Sequence, residues 1–449
     1  MILLGTVFLV WYMNFADGTH QNPNTGEGHI EVRDRDYFFT PGFILFGMAI
    51  GMGLAGLLET VRETLAGRMK SLQTPIMAVL SLLAILGAAP LRANYFSCDR
   101  SRNYVPYDFA YNMLVSCEPN AILINGGDND TFPIWCLQEV YGLRPDVTAI
   151  NLSLANGDWY IKQVRDQMGV PLRWSDEQIG KLRYRVTSTR RMQRIQDQVF
   201  DEILAVNQWR RPINLSLTIT DDCKQYMGRS IEPNLMVRGM VYKLVPGERP
   251  GSMDIPANHE LYWNCFKFRF VADSTVYFDA RAMDLIGNYA TGLLLMADSL
   301  RRAGDYEGAL AETERAIATI PGDYSSYGFL AQLYASMGRE ELIPGLVARV
   351  PHSQAAEIYF VWGLTSREKG ERELARKIFK MTLDSFPTFS DAFKEYTRIL
   401  YEDKEINLLR TTIETWLKNN PNDYQARQLL LDLSRERPNP AALPPPAGS

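Results

Sequence analysis

The chain has 449 residues, with 47 Lys and Arg against 52 Asp and Glu and a net charge of −5. That length accommodates two or three domains, and a slightly acidic balance gives nucleic acid no electrostatic footing. Five cysteines with no C-x-x-C pair, and only four histidines, argue against a structural zinc site.

The odd cysteine number excludes complete intrachain pairing. An oxidising compartment would permit one disulfide among Cys98, Cys117 and Cys136; the alternative is buried free thiols.

In chain order, the first signal is apolar. Residues 1–16 are apolar but short for a span, with no basic leader and no small-residue cleavage site. They read as the second half of a transmembrane helix, which implies sequence upstream of Met1. Residues 37–58 and 72–91 carry no charge, and each is close to the ~20 residues needed to cross hydrocarbon. Gly47, Gly51, Gly53 and Gly56 would let neighbouring helices approach in lipid. Residues 1–94 are therefore expected to be a membrane α-helical N-terminus in contact with lipid. Arg62, Arg68 and Lys70 in the link 59–71 favour its cytoplasmic placement, which puts the chain after Leu91 on the opposite side. His20 and His29 lie in an acidic first loop and read as solvated residues.

Residues 95–283 read as an α/β domain. Asp108 to Cys117 has helical spacing, Ala121 to Asn125 is a buried-strand run, and Gly126 to Asp130 is a turn. Thr131 to Tyr141 returns to helical spacing. Asp146 to Leu154 predicts a second strand and Trp159 to Met168 a second helix, which together make a βαβ unit with parallel pairing. A polar helix over 190–209 and strands over 212–220 and 235–245 complete the domain.

The turn is the sharpest local feature. In open α/β sheets ligands sit outside the carboxyl ends of the strands. Asp128, Asn129, Asp130 and Thr131 form a candidate ligand or metal turn, the two carboxylates suiting a divalent metal or sugar hydroxyls. The plain alternative is a glycine turn with Asp128 or Asp130 capping the next helix. Trp159 and Tyr160 are candidate sugar-stacking residues, with a core role as the alternative.

From residue 284 to 437 the pattern is helical. Pro321, Pro351, Pro387 and Pro421 recur at intervals of 30, 36 and 34 residues, near the 34-residue tetratricopeptide period. Tyr359, Trp362 and Gly363, then Ala375, Phe379 and Pro387, occupy that repeat's signature places. In an earlier repeat Gly304, Asp305 and Tyr306 precede Ala309, Ala316 and Pro321 at the same offsets, and the 30-residue interval marks a degenerate second repeat. The expectation is an all-α solenoid that packs on the α/β domain or binds an acceptor protein or peptide. Residues 438–449 form a Pro/Ala-rich tail expected to be disordered.

Asn125-Gly-Gly-Asp-Asn-Asp-Thr-Phe-Pro, Trp135, Leu137-Gln-Glu-Val, Asn151-Leu-Ser-Leu, Trp159-Tyr-Ile-Lys-Gln and Val241-Tyr-Lys-Leu-Val-Pro carry a resemblance. So do Glu232-Pro and the Arg33-Asp-Arg-Asp-Tyr-Phe-Phe entry to the second span. Together they resemble a family of large multi-spanning membrane proteins common in Bacteroidetes-type bacteria. That family is related to a vertebrate protein O-mannosyltransferase and belongs with GT-C-type glycosyltransferases.

The resemblance implies transfer of a sugar from a polyprenyl-phosphate donor to protein hydroxyls outside the cytoplasm. It implies a multi-pass protein of the inner membrane with its soluble part in the periplasm. It places the catalytic acid in the first extracytoplasmic loop, between N-terminal spans that this sequence lacks, so no residue of this chain inherits a catalytic role. The alternative reading is a membrane-tethered repeat scaffold without catalysis.

Overall fold

The computed structural model describes residues 19–21, 28–30, 40–66, 74–76, 78–79, 82, 89–186, 192–247 and 253–434. The expected first span and the Pro/Ala-rich tail lie outside the described residues, as does most of 72–91. The chain forms two compact units, Met1–Cys98 and Asp99–Ser449.

In the first unit, Thr19–Gln21 pairs antiparallel with Gly28–Ile30, setting His20 opposite His29. Helix α1 (Thr40–Ala66) follows. Among the described residues its Thr40–Thr64 stretch is the one helical run long and apolar enough to cross a membrane. The helix outlasts the uncharged run read from the sequence by continuing through Glu59 and Arg62, which pair at 3.4 Å. Helix α2 (Ala89–Cys98) ends the unit.

The second unit begins with α3 (Val105–Ser116), β1 (Ile122–Asn125), α4 (Asp128–Tyr141), β2 (Thr148–Asn151), α5 (Asp158–Asp166), α6 (Ile195–Asn207) and β3 (Ile213–Ser216). Strands β4 (Leu235–Arg238) and β5 (Val241–Leu244) complete a five-stranded sheet of order β4-β5-β3-β1-β2. β1 pairs parallel with β2 and with β3. β5 runs antiparallel to β3 and β4 antiparallel to β5.

The single strand read over 235–245 is thus a hairpin. Gly239 breaks it with a left-handed φ of 56°, and the Gly239 N–H donates to the Asn258 side chain at 2.6 Å. The strand read over 146–154 stops at Asn151, where Leu154–Asn156 turns into a short 3-10 helix.

Pleating sends alternate residues to opposite faces. Ala121, Leu123, Ala149 and Val241 pack with Phe109 and Met113 of α3 and with Ile134 and Leu137 of α4. Ile122, Ile124, Ile150, Ile213 and Leu215 pack with Tyr160, Ile161 and Val164 of α5 and with Val199, Phe200 and Ile203 of α6. The near-continuous apolar run of β1 follows from this burial on both faces. The edge strand β2 is blunted by side chains. Trp135 Nε1 donates to Ala149 O at 3.3 Å, Gln138 Nε2 donates to Val147 O at 2.7 Å, and the Asn151 N–H donates to the Tyr160 hydroxyl at 2.9 Å.

The remaining chain is helical: α7 (Ala280–Arg302), α8 (Tyr306–Thr319), α9 (Tyr324–Ser336), a short α10 (Ile343–Val347), α11 (His352–Glu368), α12 (Arg372–Ser385), α13 (Ser390–Glu402), α14 (Ile406–Asn419) and α15 (Tyr424–Ser434). Sequence neighbours are spatial neighbours along the array, the arrangement of a helical solenoid. Helix α7 runs through the boundary read at 283/284. Its Ile286, Tyr289, Leu293 and Met296 lie in the same core as α3 and α4, and Ala316 of α8 and Ile320 just after that helix join them.

Candidate functional site

Chain order makes the carboxyl end of β1 a switch point. The chain leaves β1 for β2 on one side and later returns as β3 on the other. Crevices at such points are where open α/β sheets hold ligands. The turn Gly126-Gly127 sits there, and α4 begins at Asp128.

Gly127 is the residue before the helix, so neither aspartate occupies the capping position that the sequence allowed for them. Asp128 and Asp130 instead lie in the first helical turn, where carboxylates complement the helix dipole. The structure gives these two carboxylates different surroundings. Asp130 is 3% exposed; its Oδ2 accepts from Ser216 Oγ at 3.0 Å and from Thr218 Oγ1. Burial pushes its carboxyl above the usual range, while the two hydroxyls and the Gly126 backbone pull it back. These bonds tie the β1–α4 turn to the end of β3.

Asp128 is exposed, with Oδ1 accepting from Asn151 Nδ2 at 3.4 Å. Asn129 is exposed beside it. Thr131 is buried and donates to Gly127 O at 2.8 Å. Among the described residues no group of three or more His, Cys, Asp or Glu side chains gathers into a metal-holding cluster.

The two aromatic candidates are also divided. Tyr160 is fully buried in the core, with burial pushing its phenol upward in pKa, and its hydroxyl is engaged by the Asn151 N–H. Trp159 is 58% exposed and meets Tyr160 edge-on at 5.5 Å.

Four residues absent from the sequence-derived candidates belong to this site: Asn125, Asn151, Ser216 and Thr218. Asn125 and Asn151 are directly paired in the β1–β2 register. Ile124 pairs with Leu215, which sets Ser216 beside Asn125 on the other side. Asn151, Asn125 and Ser216 therefore form one polar row across the three parallel strands, on the α4 face. The outer two bond Asp128 and Asp130. The central one, Asn125, is fully buried, and neither side-chain atom has a partner. Asn214, one pleat deeper on β3, is in the same state. The sequence signal was a polar residue closing an otherwise apolar strand at 125 and again at 151. Ser216 and Thr218 carry no such mark.

The matching family model falls on this layer. Residues 106–198 match the family described as TMEM260-associated domain 2. The mouse (Mus musculus) "Protein O-mannosyl-transferase TMEM260" is 34% identical over 122 residues, which is 27% of this chain and 16% of that protein. This chain therefore spans less than a fifth of the curated relative's length. The likeness to this family is carried by the α/β layer.

Among solved structures, MamA is similar at 15% identity and a TM-score of 0.20, covering 36% of this chain and 85% of MamA. YrrB, described as a TPR protein with an unusual peptide-binding site, is similar at 13% identity and a TM-score of 0.20, covering 37% of this chain and 88% of YrrB.

Proposed function

We propose that this chain is the membrane-anchored, acceptor-handling part of a glycosyltransferase of the protein O-mannosyltransferase kind. The observation that carries the reading is the 34% identity to the mouse transferase together with the match of 106–198 to a domain associated with it. The apolar helix Thr40–Thr64 fits a protein held in a membrane. On this reading the protein is multi-pass in the inner membrane with its soluble part in the periplasm. Catalytic groups and the polyprenyl-phosphate sugar belong to membrane spans outside this sequence.

The helical array supplies an acceptor surface. Between α12, α13 and α14 lies a cavity of about 270 Å³ with an apolar floor of Leu383, Phe393, Tyr396, Leu408 and Trp416 and a polar rim that includes Lys380, Asp384 and Asn419. A groove with an apolar floor and polar rim suits a side chain of an extended polypeptide.

A scaffold without catalysis is the second reading, favoured by the run of stacked helices α7 to α15, an architecture that binds partner polypeptides. Membranes from cells with and without this chain, supplied with radiolabelled polyprenyl-phosphate mannose, separate the two. Loss of label transfer to protein supports the transferase reading. Unchanged transfer with loss of a co-purifying periplasmic complex establishes the scaffold instead.

A further inference from the structure

We propose that the second unit carries a membrane-docking face, a patch of tyrosines and cations that rests in the headgroup layer of a phospholipid bilayer. The proposal rests on reading residues 72–91 as a membrane span, and it is independent of the transferase reading.

The patch is built on α3. Tyr104, Tyr107 and Tyr111 follow one another at intervals of three and four residues, so they share one face of that helix. The segment 267–270 lies along this stripe. Lys267 Nζ stands 3.8 Å from the centre of the Tyr111 ring, and the Arg269 guanidinium stands 3.8 Å from Tyr104 and 4.8 Å from Tyr107. Buried Asp108 accepts from Arg269 Nη2 at 2.6 Å, which fixes the segment on the helix. Tyr141, at the end of α4, widens the patch by meeting Tyr107 edge-on at 5.6 Å. Phe270 widens it at the other end by stacking on Tyr104 at 5.9 Å.

Three observations select a lipid surface as the occupant. The first is what the patch exposes. Val140, Tyr141 and Phe270 are 70%, 58% and 41% exposed. Phe270 is presented from a left-handed φ of 61°, a backbone that is unfavourable for any residue with a Cβ. Strain spent on presenting an apolar ring points to a task for that ring.

The second is the chemistry of the rings. The hydroxyls of Tyr104, Tyr107, Tyr111 and Tyr141 have no hydrogen-bond partner among the described residues. An apolar body with a free polar tip is the side-chain shape that collects at a bilayer interface, ring toward the acyl chains and hydroxyl among the headgroup oxygens.

The third is charge together with tether. Arg102 and Arg269 are paired with Asp273 and Asp108. Lys267 meets no carboxylate among the described residues, so its charge is available to a lipid phosphate. Residues 92–103 separate the uncharged run 72–91 from Tyr104, and even fully extended they reach at most about 43 Å. The bilayer is thus held near the patch at high effective concentration, unlike a freely diffusing partner.

The experiment places p-benzoylphenylalanine, in turn, at positions 46, 141, 270 and 424 of the full chain in nanodiscs of phosphatidylcholine and phosphatidylglycerol. After irradiation, lipid adducts are read by peptide mass spectrometry. Phe46 is 55% exposed on α1, and Tyr424, 76% exposed at the start of the last helix, reports chance collision. The expected result is lipid adducts at 46, 141 and 270, with 141 and 270 exceeding 424 about tenfold or more. Lys267→Gln should lower the yield at 270 about fivefold, the effect of one cation beside an anionic surface, with the melting temperature unchanged.

Adducts at 46 with none at 141 and 270 overturn the docking face and leave the membrane reading standing. No adduct at 46 removes that reading and the proposal with it. Equal yields at 141, 270 and 424 overturn the face as no more than collision. A cross-link from 270 to a second protein chain in place of lipid overturns it in favour of a protein interface.

Discussion

Glu202 is 6% exposed, and its carboxylate takes the backbone N–H of Arg173 at 3.0 Å and the guanidinium at 2.8 and 2.7 Å. The Arg173 hydrogen bonds hold its carboxyl below the usual range against the opposing effect of burial. A carboxylate with a depressed folded-state pKa contributes stability above its unfolded value, and that stability is lost as pH falls through the folded value. Glu202→Gln should therefore cost about 1–3 kcal/mol at neutral pH and flatten the acid side of the stability profile. Parallel melts of the full chain at pH 7 and pH 4 check this: the variant's deficit must shrink at the lower pH.

The thiols give a second test at this scale. All five cysteines are free. Cys117 is buried and donates to Met113 O at 3.3 Å, and burial pushes its thiol up to about 12. Cys136 is exposed. Because the thiolate is the nucleophile, iodoacetamide at pH 8 should modify Cys136 and spare Cys117 until the chain is unfolded. Peptide mass mapping reads both sites. Early modification of Cys117 would contradict the packing of α3.

At the scale of elements, the helical array shows how a period is enforced. The first helix of each pair ends at Gly304, Gly338, Gly370 and Lys404, all left-handed with φ of 83°, 71°, 82° and 60°. These positions are spaced by 34, 32 and 34 residues. Each is closed by the next residue's N–H reaching back to the helix: Asp305 to Leu300 O, Arg339 to Tyr334 O, Glu371 to Ser366 O and Glu405 to Leu400 O, all at 2.8 or 2.9 Å. That is a Schellman closure, in which glycine avoids a Cβ clash. Lys404 alone carries a Cβ at this place. Lys404→Gly should stabilise the array by about 0.5–1 kcal/mol, read as a rise in melting temperature. A fall would mean that the lysine side chain contributes more than its backbone costs.

The same elements show what a sequence can reveal. The turn-and-pair spacing and the small residues at 363 and 375 were legible because close helix packing leaves one solution. A Cβ on Gly363 would stand 2.5 Å from the Phe379 ring. The βαβ order was legible from alternating periods. Element ends were not, since Asn151 and Gly239 stop strands by tertiary bonds to Tyr160 and Asn258. Nor was the sorting of the turn residues legible. Asp128 and Asp130 look equivalent in sequence, and only the arrival of Ser216 and Thr218 from β3 buries one of them. Tyr160 and Trp159 are neighbours in the chain, yet helical geometry turns one to the core and the other to solvent.

At the scale of the whole second unit, the α/β layer and the array are not beads on a string. Helix α7 belongs to both, and its Tyr289 meets Phe109 of α3 at 6.0 Å and Phe268 at 5.0 Å. A polar clamp reinforces the shared core. Glu312 of α8 is 2% exposed; its carboxylate accepts from Trp263 Nε1 at 3.1 and 2.9 Å and lies 2.6 Å from His259 Nδ1. His259 and Trp263 belong to the segment 255–265 that closes the α/β layer, and their rings stack at 5.2 Å.

Removing the carboxylate takes the shared acceptor from Trp263 and His259, which are 39% and 53% exposed and can turn to water, so the loss is that of the hydrogen bonds rather than of a sealed polar group. Glu312→Ala should thus cost about 1 kcal/mol. Since one core spans both parts, that loss should appear equally in Trp fluorescence and in far-UV circular dichroism, as one shifted cooperative transition. Two separated transitions, with the helical signal unmoved by the substitution, would show instead that the array folds independently of the layer it adjoins.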